Sequence, residues 1–352
     1  MGTPSFLFIE GHRMQRRALD FDDGVAMVVT DLHGAGAVYY RLRDRFLDLL
    51  ARGEVNRLII CGDLIHGYGE SVDDDSLEML LDVIRLQGDL GTECVVLLLG
   101  NHEMPHIYGV TLKKGNQEFT PRFEEALARL DRQDGAMYHR ADVISFLADL
   151  PFFARTRAGV LLTHAGATPV LDSQFKVLRL LDFDHQVILK RASRHLEGVD
   201  RAQLRRQLAE TDGRPYDELA AYYLGVSGMH DPRYDDLLRS MFVGQNDPAY
   251  DLLWEVLFSQ NEIGMHLKGY NLIVKIFLHN ISEVSRYPQR VLVAGHIAVD
   301  GGYDLVGNQQ LRLASYAHAE PKKSGRYLLL DCAKPVRKAA DLVPALRSVF
   351  ED

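Results

Sequence analysis

Five short motifs in this chain place Asp, His or Asn directly after an apolar run, mostly beside a glycine. They are Asp31-Leu32-His33-Gly34, Gly62-Asp63-Leu64-Ile65-His66-Gly67, Gly100-Asn101-His102-Glu103, His164-Ala165-Gly166 and Gly295-His296. Taken singly each is ordinary: Asp-x-His is common, a lone histidine is more often a satisfied core residue, and an asparagine is a turn former. Taken together and in this order they read as the ligands of one metal site. A donor set mixing carboxylate, imidazole and amide suits Mn²⁺, Fe or Zn²⁺ rather than Ca²⁺, which prefers oxygen alone.

The runs before these motifs must position them. Val25–Thr30, Leu58–Cys61, Cys94–Leu99, Val160–Thr163, Val291–Ala294 and Tyr327–Leu330 are short, rich in Val, Ile and Leu, and flanked by glycine or charge. That pattern predicts strands buried on both faces. Between the first three, Tyr39–Arg52 and Ser76–Gln87 carry leucines at helical spacing, and Asp73-Asp74-Asp75 stands where it caps the second helix. Strand–helix alternation predicts an α/β core, with ligands gathered at the carboxyl ends of the strands. From about residue 171 to 287 the pattern turns mostly helical and polar, an insertion or cap on a single domain spanning 1–352. Its basic residues Lys190, Arg191, Arg194, Arg201, Arg205 and Arg206 are broken up by Gly198 and Asp200, and read as solvated helix faces.

Composition narrows the function classes. In 352 residues, 47% are hydrophobic and 25% charged, the balance of a folded globule. With 40 Lys and Arg against 49 Asp and Glu, the net charge of −9 argues against coating nucleic acid. Cys61, Cys94 and Cys332 cannot close a disulfide framework and read as thiols of a reducing compartment. The start, Met1 to Phe6, has no basic region ahead of an apolar stretch, and Phe6 stands where myristoylation wants Ser or Thr. No run approaches 18 apolar residues. The expectation is a cytoplasmic protein with no membrane or nucleic-acid partner.

As a set, Asp31-x-His33, Gly62-Asp63, Gly100-Asn101-His102-Glu103, His164 and Gly295-His296 resemble the calcineurin-like metallophosphoesterases. The phosphoprotein (Ser/Thr) phosphatase branch is the most similar. Asp251-Leu252-Leu253-Trp254 resembles a segment of that branch, and the stretch from Phe277-Leu278-His279 to Leu313-Ala314-Ser315-Tyr316 tracks its C-terminal part. The resemblance implies a four-layer α/β/β/α sandwich and two divalent metal ions, Mn²⁺ first, with Fe or Zn²⁺ as alternatives. It implies that Asp31 and His33 hold one ion, Asn101, His164 and His296 the other, and that Asp63 bridges both. It further implies a bridging hydroxide attacking phosphorus in line, while His102 protonates the leaving oxygen.

The chain also departs from that branch. Where the family continues Gly-Asp with x-Val-Asp-Arg-Gly, this chain has Leu64-Ile65-His66-Gly67, so His66 replaces a carboxylate and Gly67 a phosphate-binding arginine. A second arginine falls at Ile263 in Asn261-Glu262-Ile263-Gly264. Bidentate arginine contacts orient and neutralise phosphate, so something must replace them. Lys268, Arg122, His66 and His106 are the candidates, and His66 is assigned to the active site beside His102. Tyr316 and His318 fall where the family's last loop approaches the pocket. The function expected is a phosphomonoesterase acting on phosphorylated protein, peptide or a small phosphoester. The alternatives are a nucleotide or dinucleoside polyphosphate hydrolase, and a catalytically weak protein that binds phosphorylated partners.

Overall fold

The apolar runs become strands and sort into two sheets. The computed structural model describes residues 17–68 and 74–351, so Met1 to Phe6 and Asp73 lie outside the described residues. The six-stranded sheet has the order Ala18–Phe21, Phe153–Thr156, Val160–Thr163, Val291–Ala294, Gln310–Leu313, Tyr303–Val306. The five-stranded sheet has the order Leu346–Ser348, Arg326–Asp331, Val25–Val29, Arg57–Ile60, Val95–Leu97.

Alternation along the strands builds the layers. Ala26, Val28, Ile59 and Val96 of one sheet meet Leu162, Val293 and Leu311 of the other in a buried core between the sheets. The opposite residues Met27, Val29, Leu58, Ile60 and Leu97 face outward under helices Gly36–Ala51 and Ser76–Leu90. On the far side, helix Leu267–Glu283 covers the six-stranded sheet, its Phe277 ring 6.3 Å from that of Phe153. The result is the four-layer α/β/β/α sandwich. Helix Gly36–Ala51 starts three residues before the apolar pattern does, and Ser76–Leu90 runs three past it. Asp74, rather than the neighbouring Asp75, accepts from the Ser76 backbone N–H at 3.2 Å.

Strands that carry charge escape the apolar pattern. Phe153–Thr156 and Gln310–Leu313 are buried throughout although they contain Arg155, Gln310 and Arg312. Arg155 is paired bidentately with Asp20 on the neighbouring strand, at 2.7 Å for each bond. Arg312 is enclosed by Glu262 and the carbonyl of Gly295.

Between Val160–Thr163 and Val291–Ala294 the described residues form helices and no strand. His185–Glu197 and Arg201–Asp212 are separate helices, split at Gly198–Asp200. Three of the basic residues are paired rather than merely solvated: Arg191 with Asp247 at 2.6 Å, and Arg201 and Arg205 with Asp235. Leu196, Tyr216, Leu219, Leu224, Tyr234 and Leu238 form a small core of their own here. Among the described residues, no helix is long and apolar enough to cross a membrane.

The registers decide where the site lies. Val29, Ile60 and Leu97 stand side by side in parallel strands, and Thr163 stands beside Ala294. All five motifs therefore leave their sheets along corresponding edges. Bonds between the loops join them: Leu32 and His33 N–H both donate to the Asp63 carbonyl at 3.0 Å, and Gly295 N–H donates to the His164 carbonyl at 3.0 Å.

Candidate metal centre

The loops that carry the motifs are held in costly conformations. Among the described residues, the non-glycine positions with positive φ are Asp31 (47°), His33 (45°), Asp63 (51°), His66 (72°) and His296 (73°). Every one belongs to the motifs. Left-handed backbone at such residues costs about 1–3 kcal/mol each, and persists only where surrounding bonds over-determine it.

Those bonds converge on buried carboxylates. Glu103 Oε1 accepts from Leu64 N–H (2.8 Å) and Ile65 N–H (3.3 Å), and its Oε2 accepts from Asp63 N–H and Gly100 N–H, both at 3.0 Å. Asp63 Oδ1 accepts from His102 N–H at 3.0 Å, and Asp31 Oδ1 from His296 N–H at 2.8 Å. Two glycines allow this closeness. A Cβ on Gly100 would overlap Asp63, and one on Gly295 would overlap the Asp31 carboxylate.

The side chains then form two groups of potential ligand atoms that share a residue. Asp31, His33, Asp63 and His318 make one group, and Asp63, His164 and His296 the other. Asp63 Oδ2 lies 3.5 Å from His33 Nε2 and 3.4 Å from His164 Nε2. His318 Nε2 lies 3.6 Å from Asp31 Oδ1. Asn101 Oδ1 adjoins the second group, 2.7 Å from His164 Nε2, and His296 Nδ1 is 3.1 Å from that same nitrogen.

A cation fits these atoms better than hydrogen bonding does. His164 Nδ1–H donates to the Cys61 carbonyl at 2.9 Å, which turns the Nε2 lone pair toward Asn101 Oδ1 and Asp63 Oδ2. Acceptors thus face acceptors, the arrangement a second-shell carbonyl imposes on a ligating histidine. Asp31 Oδ2 and both ring nitrogens of His33 are buried without a hydrogen-bond partner. Buried polar atoms in that state are costly unless an ion completes them.

Charge at the site points the same way. Burial lifts the Asp31 carboxyl to about 7, with His164 opposing and Asp63 reinforcing the shift. Burial and Glu103 push Asp63 well above the carboxylate range. Burial and neighbouring histidines hold His33 and His296 well below the ordinary value, and His318 at about 3. His33, His296 and His318 are therefore neutral, the form that ligates, while the raised carboxyls hold protons that a cation displaces. Because their values are raised, protons compete more strongly as pH falls. Mn²⁺ binding to the metal-free protein at pH 7 is expected to release protons and to weaken from pH 8 to pH 6. Calorimetry in two buffers of different ionisation enthalpy reads this directly; identical heats in both would show that Asp31 and Asp63 carry no protons for the metal to displace.

The structure brings together Asp31, His33, Asp63, Asn101, His164 and His296. His102 stands at their edge, its Nε2 4.0 Å from Asp63 Oδ2. His66 is set behind His102, the two Nδ1 atoms 3.1 Å apart. Of the other candidates, His318 joins the cluster, while Tyr316 packs toward Phe350 with its ring under Lys322. Ile263 and Lys268 are exposed, and it is Glu262 that turns inward, to Arg312. Arg122 lies 3.9 Å from Asp74. Sequence reasoning missed the part of Glu103, although its place at the end of Gly-Asn-His-Glu was in view. It also missed Tyr68 and Phe119, whose rings lie 4.6 Å from His33 and 4.9 Å from His102.

A family model described as calcineurin-like phosphoesterase matches residues 25–219, a span holding every cluster residue except His296 and His318. Among solved structures, the chain is similar to a protein serine/threonine phosphatase from Saccharomyces cerevisiae with similarity to human phosphatase PP5. Identity is 14%, covering 90% of this chain and 77% of that one, with a TM-score of 0.46. It is also similar to a metallophosphoesterase from Sphaerobacter thermophilus, at 12% identity, 91% coverage of each chain and a TM-score of 0.31. Comparison with curated proteins yields no match.

Proposed function

The chain belongs to the calcineurin-like phosphoesterases, and from that premise we propose that it is a metal-dependent phosphomonoesterase acting on phosphorylated protein or peptide. The observation that carries the reading is the cluster of facing lone pairs and unpartnered buried atoms around Asp63, with His102 at its edge. Asp31, His33 and His318 would hold one divalent ion and Asn101, His164 and His296 the other, with Asp63 shared and Mn²⁺ the expected metal. Bound there, the ions supply Lewis acidity, drawing charge from phosphate oxygens and lowering the pKa of water.

The remaining work falls to side chains. His102 turns Nδ1 to His66 and leaves Nε2 on the cluster side, where a proton can pass to the leaving oxygen. Burial and His66 hold His102 well below the ordinary histidine range, so the free site keeps it neutral. An arriving phosphate dianion supplies the opposite charge that favours its protonated form. In place of the absent arginines, Lys114 brings a cation to the ring of Tyr68, at 5.6 Å, beside His33.

A peptide is favoured over a dinucleoside polyphosphate by the surface beside the site. The Gly67 carbonyl accepts from Gln117 Nε2 at 3.1 Å, and Gln117 lines a cavity of about 990 Å³. Glu118, Glu125 and Glu218 line it too, against Arg122 as the one cation among the described lining residues. That balance attracts basic residues flanking a phosphorylated position and repels a polyphosphate chain. With Mn²⁺ present, a phosphopeptide flanked by Lys or Arg is expected to release inorganic phosphate several-fold faster than one flanked by Glu, the gap closing in high salt. Release of a nucleotide from a dinucleoside polyphosphate, with none of phosphate from peptides, would replace the substrate. No turnover of either by metal-loaded protein would leave a phospho-ligand-binding protein.

A further inference from the structure

Behind the site, His102 is the first member of a buried row. His102 Nδ1 lies 3.1 Å from His66 Nδ1, His66 Nε2 lies 2.7 Å from His106 Nε2, and His106 Nδ1 lies 2.8 Å from Glu124 Oε1. Glu124 is gripped by Arg140 at 3.0 and 3.2 Å, and Arg233 stands 3.7 Å away. His66, His106 and Glu124 are each about 1% exposed, with Phe119 stacked on His66 and Phe123 4.6 Å from His106. No member after His102 belongs to the metal cluster.

Resting on the phosphoesterase reading, we infer that Glu124 and His106 are positioning residues for the general acid, acting through His66 in place of a direct carboxylate. The directions of the bonds follow from the end of the row. Burial works against a charge on Glu124, but His106 and Arg140 outweigh it and hold the carboxyl below the ordinary range. An ionised carboxylate only accepts, so His106 Nδ1 carries hydrogen, and in the single-hydrogen tautomer we assign, His106 Nε2 offers its lone pair to His66. His66 must then donate from Nε2 and accept at Nδ1. His102 in turn donates from Nδ1, which aims Nε2 at the site. In the reaction the proton leaves His102 Nε2 for the departing oxygen, which takes the electron pair of the broken P–O bond. Nothing need travel along the row; it fixes tautomer and ring orientation, as the outer carboxylate of a histidine triad does. The aromatic walls exclude the water that would otherwise offer each ring another partner.

A general acid matters most when the leaving group is poor. Mn²⁺-loaded wild type, Glu124→Gln, His66→Asp and the double variant are therefore compared on phenyl phosphate and 2,4-dinitrophenyl phosphate. The amide that Glu124→Gln introduces can both donate and accept, which removes the fixed direction. The expected result is that Glu124→Gln lowers kcat/KM for phenyl phosphate on the order of 10-fold more than for the dinitrophenyl ester, with metal content unchanged. In the His66→Asp background, where the carboxylate bonds His102 directly, adding Glu124→Gln is expected to change the ratio no further. Equal slowing of both esters, or an undiminished Glu124 effect in that background, would reduce the row to a structural element. Zn²⁺-loaded protein with ¹⁵N-labelled histidine gives a second readout: hydrogen on Nε2 of His66 and Nδ1 of His106, mixed in Glu124→Gln. Other tautomers would overturn the inference. Should wild type hydrolyse neither ester, the phosphoesterase reading fails while the tautomers still decide the row.

Discussion

Asp63→Asn is expected to lower Mn²⁺-dependent hydrolysis of p-nitrophenyl phosphate on the order of 10³-fold, the rate equivalent of the several kcal/mol that a metal centre contributes. The substitution keeps the shape of the side chain, and its Oδ1 can still accept from His102 N–H. What changes is Oδ2, the atom facing both His33 and His164. An uncharged amide N–H₂ there points hydrogens at lone pairs arranged for a cation. Bound metal, read by elemental analysis, is expected to fall below the wild-type content, and the thermal shift on adding Mn²⁺ to shrink accordingly. The metal-free protein should lose no stability. Burial beside Glu103 holds the Asp63 carboxyl well above the ordinary range, so in the metal-free protein the substitution replaces a protonated acid by an uncharged amide of the same shape. Full metal content with full turnover would show that the shared carboxylate is not what the site is built around.

How much of this was legible depends on where each residue's partner lies. Asp31, Asp63, Asn101, His164 and His296 could be read because each closes an apolar run, and parallel registers align the ends of those runs. His318 could be reached only through the family resemblance, because it follows Gln310–Leu313, a buried strand disguised by Arg312. That arginine is tolerable only because Glu262, fifty positions away, encloses it. A local pattern cannot register such a partner. His106 and Glu124 sit on different helices, Met104–Tyr108 and Thr120–Asp131, and their meeting is a consequence of packing. One trace was visible: Glu124 lies on the apolar stripe of its helix with Phe123, Leu127 and Ala128, where a charge requires a buried partner. The missing family carboxylate at His66 was equally visible as a difference. What takes its place could be seen only in three dimensions.

Glu103→Gln is expected to damage the same activity by the opposite route. The two oxygens of Glu103 satisfy four backbone N–H groups, from Asp63, Leu64, Ile65 and Gly100. A glutamine offers one oxygen, so two buried N–H groups lose their acceptor and face an amide N–H₂ instead. At about 1–3 kcal/mol for each unsatisfied group, the metal-free protein should lose roughly 2–6 kcal/mol. That corresponds to a fall in Tm on the order of 10 °C. The bonds lost are also those that hold Asp63 in its left-handed conformation. Metal affinity is therefore expected to fall about 10–100-fold, the usual consequence of removing an outer-shell partner. The two neighbouring carboxylates are thus separable by one measurement, the Tm of the metal-free variants. Asp63→Asn should hold it and Glu103→Gln should lower it, although both lose turnover. A metal-free Tm unchanged by Glu103→Gln would mean that the two strand ends hold their shape without it. The strain at Asp63 would then have to be maintained by the neighbouring loops alone.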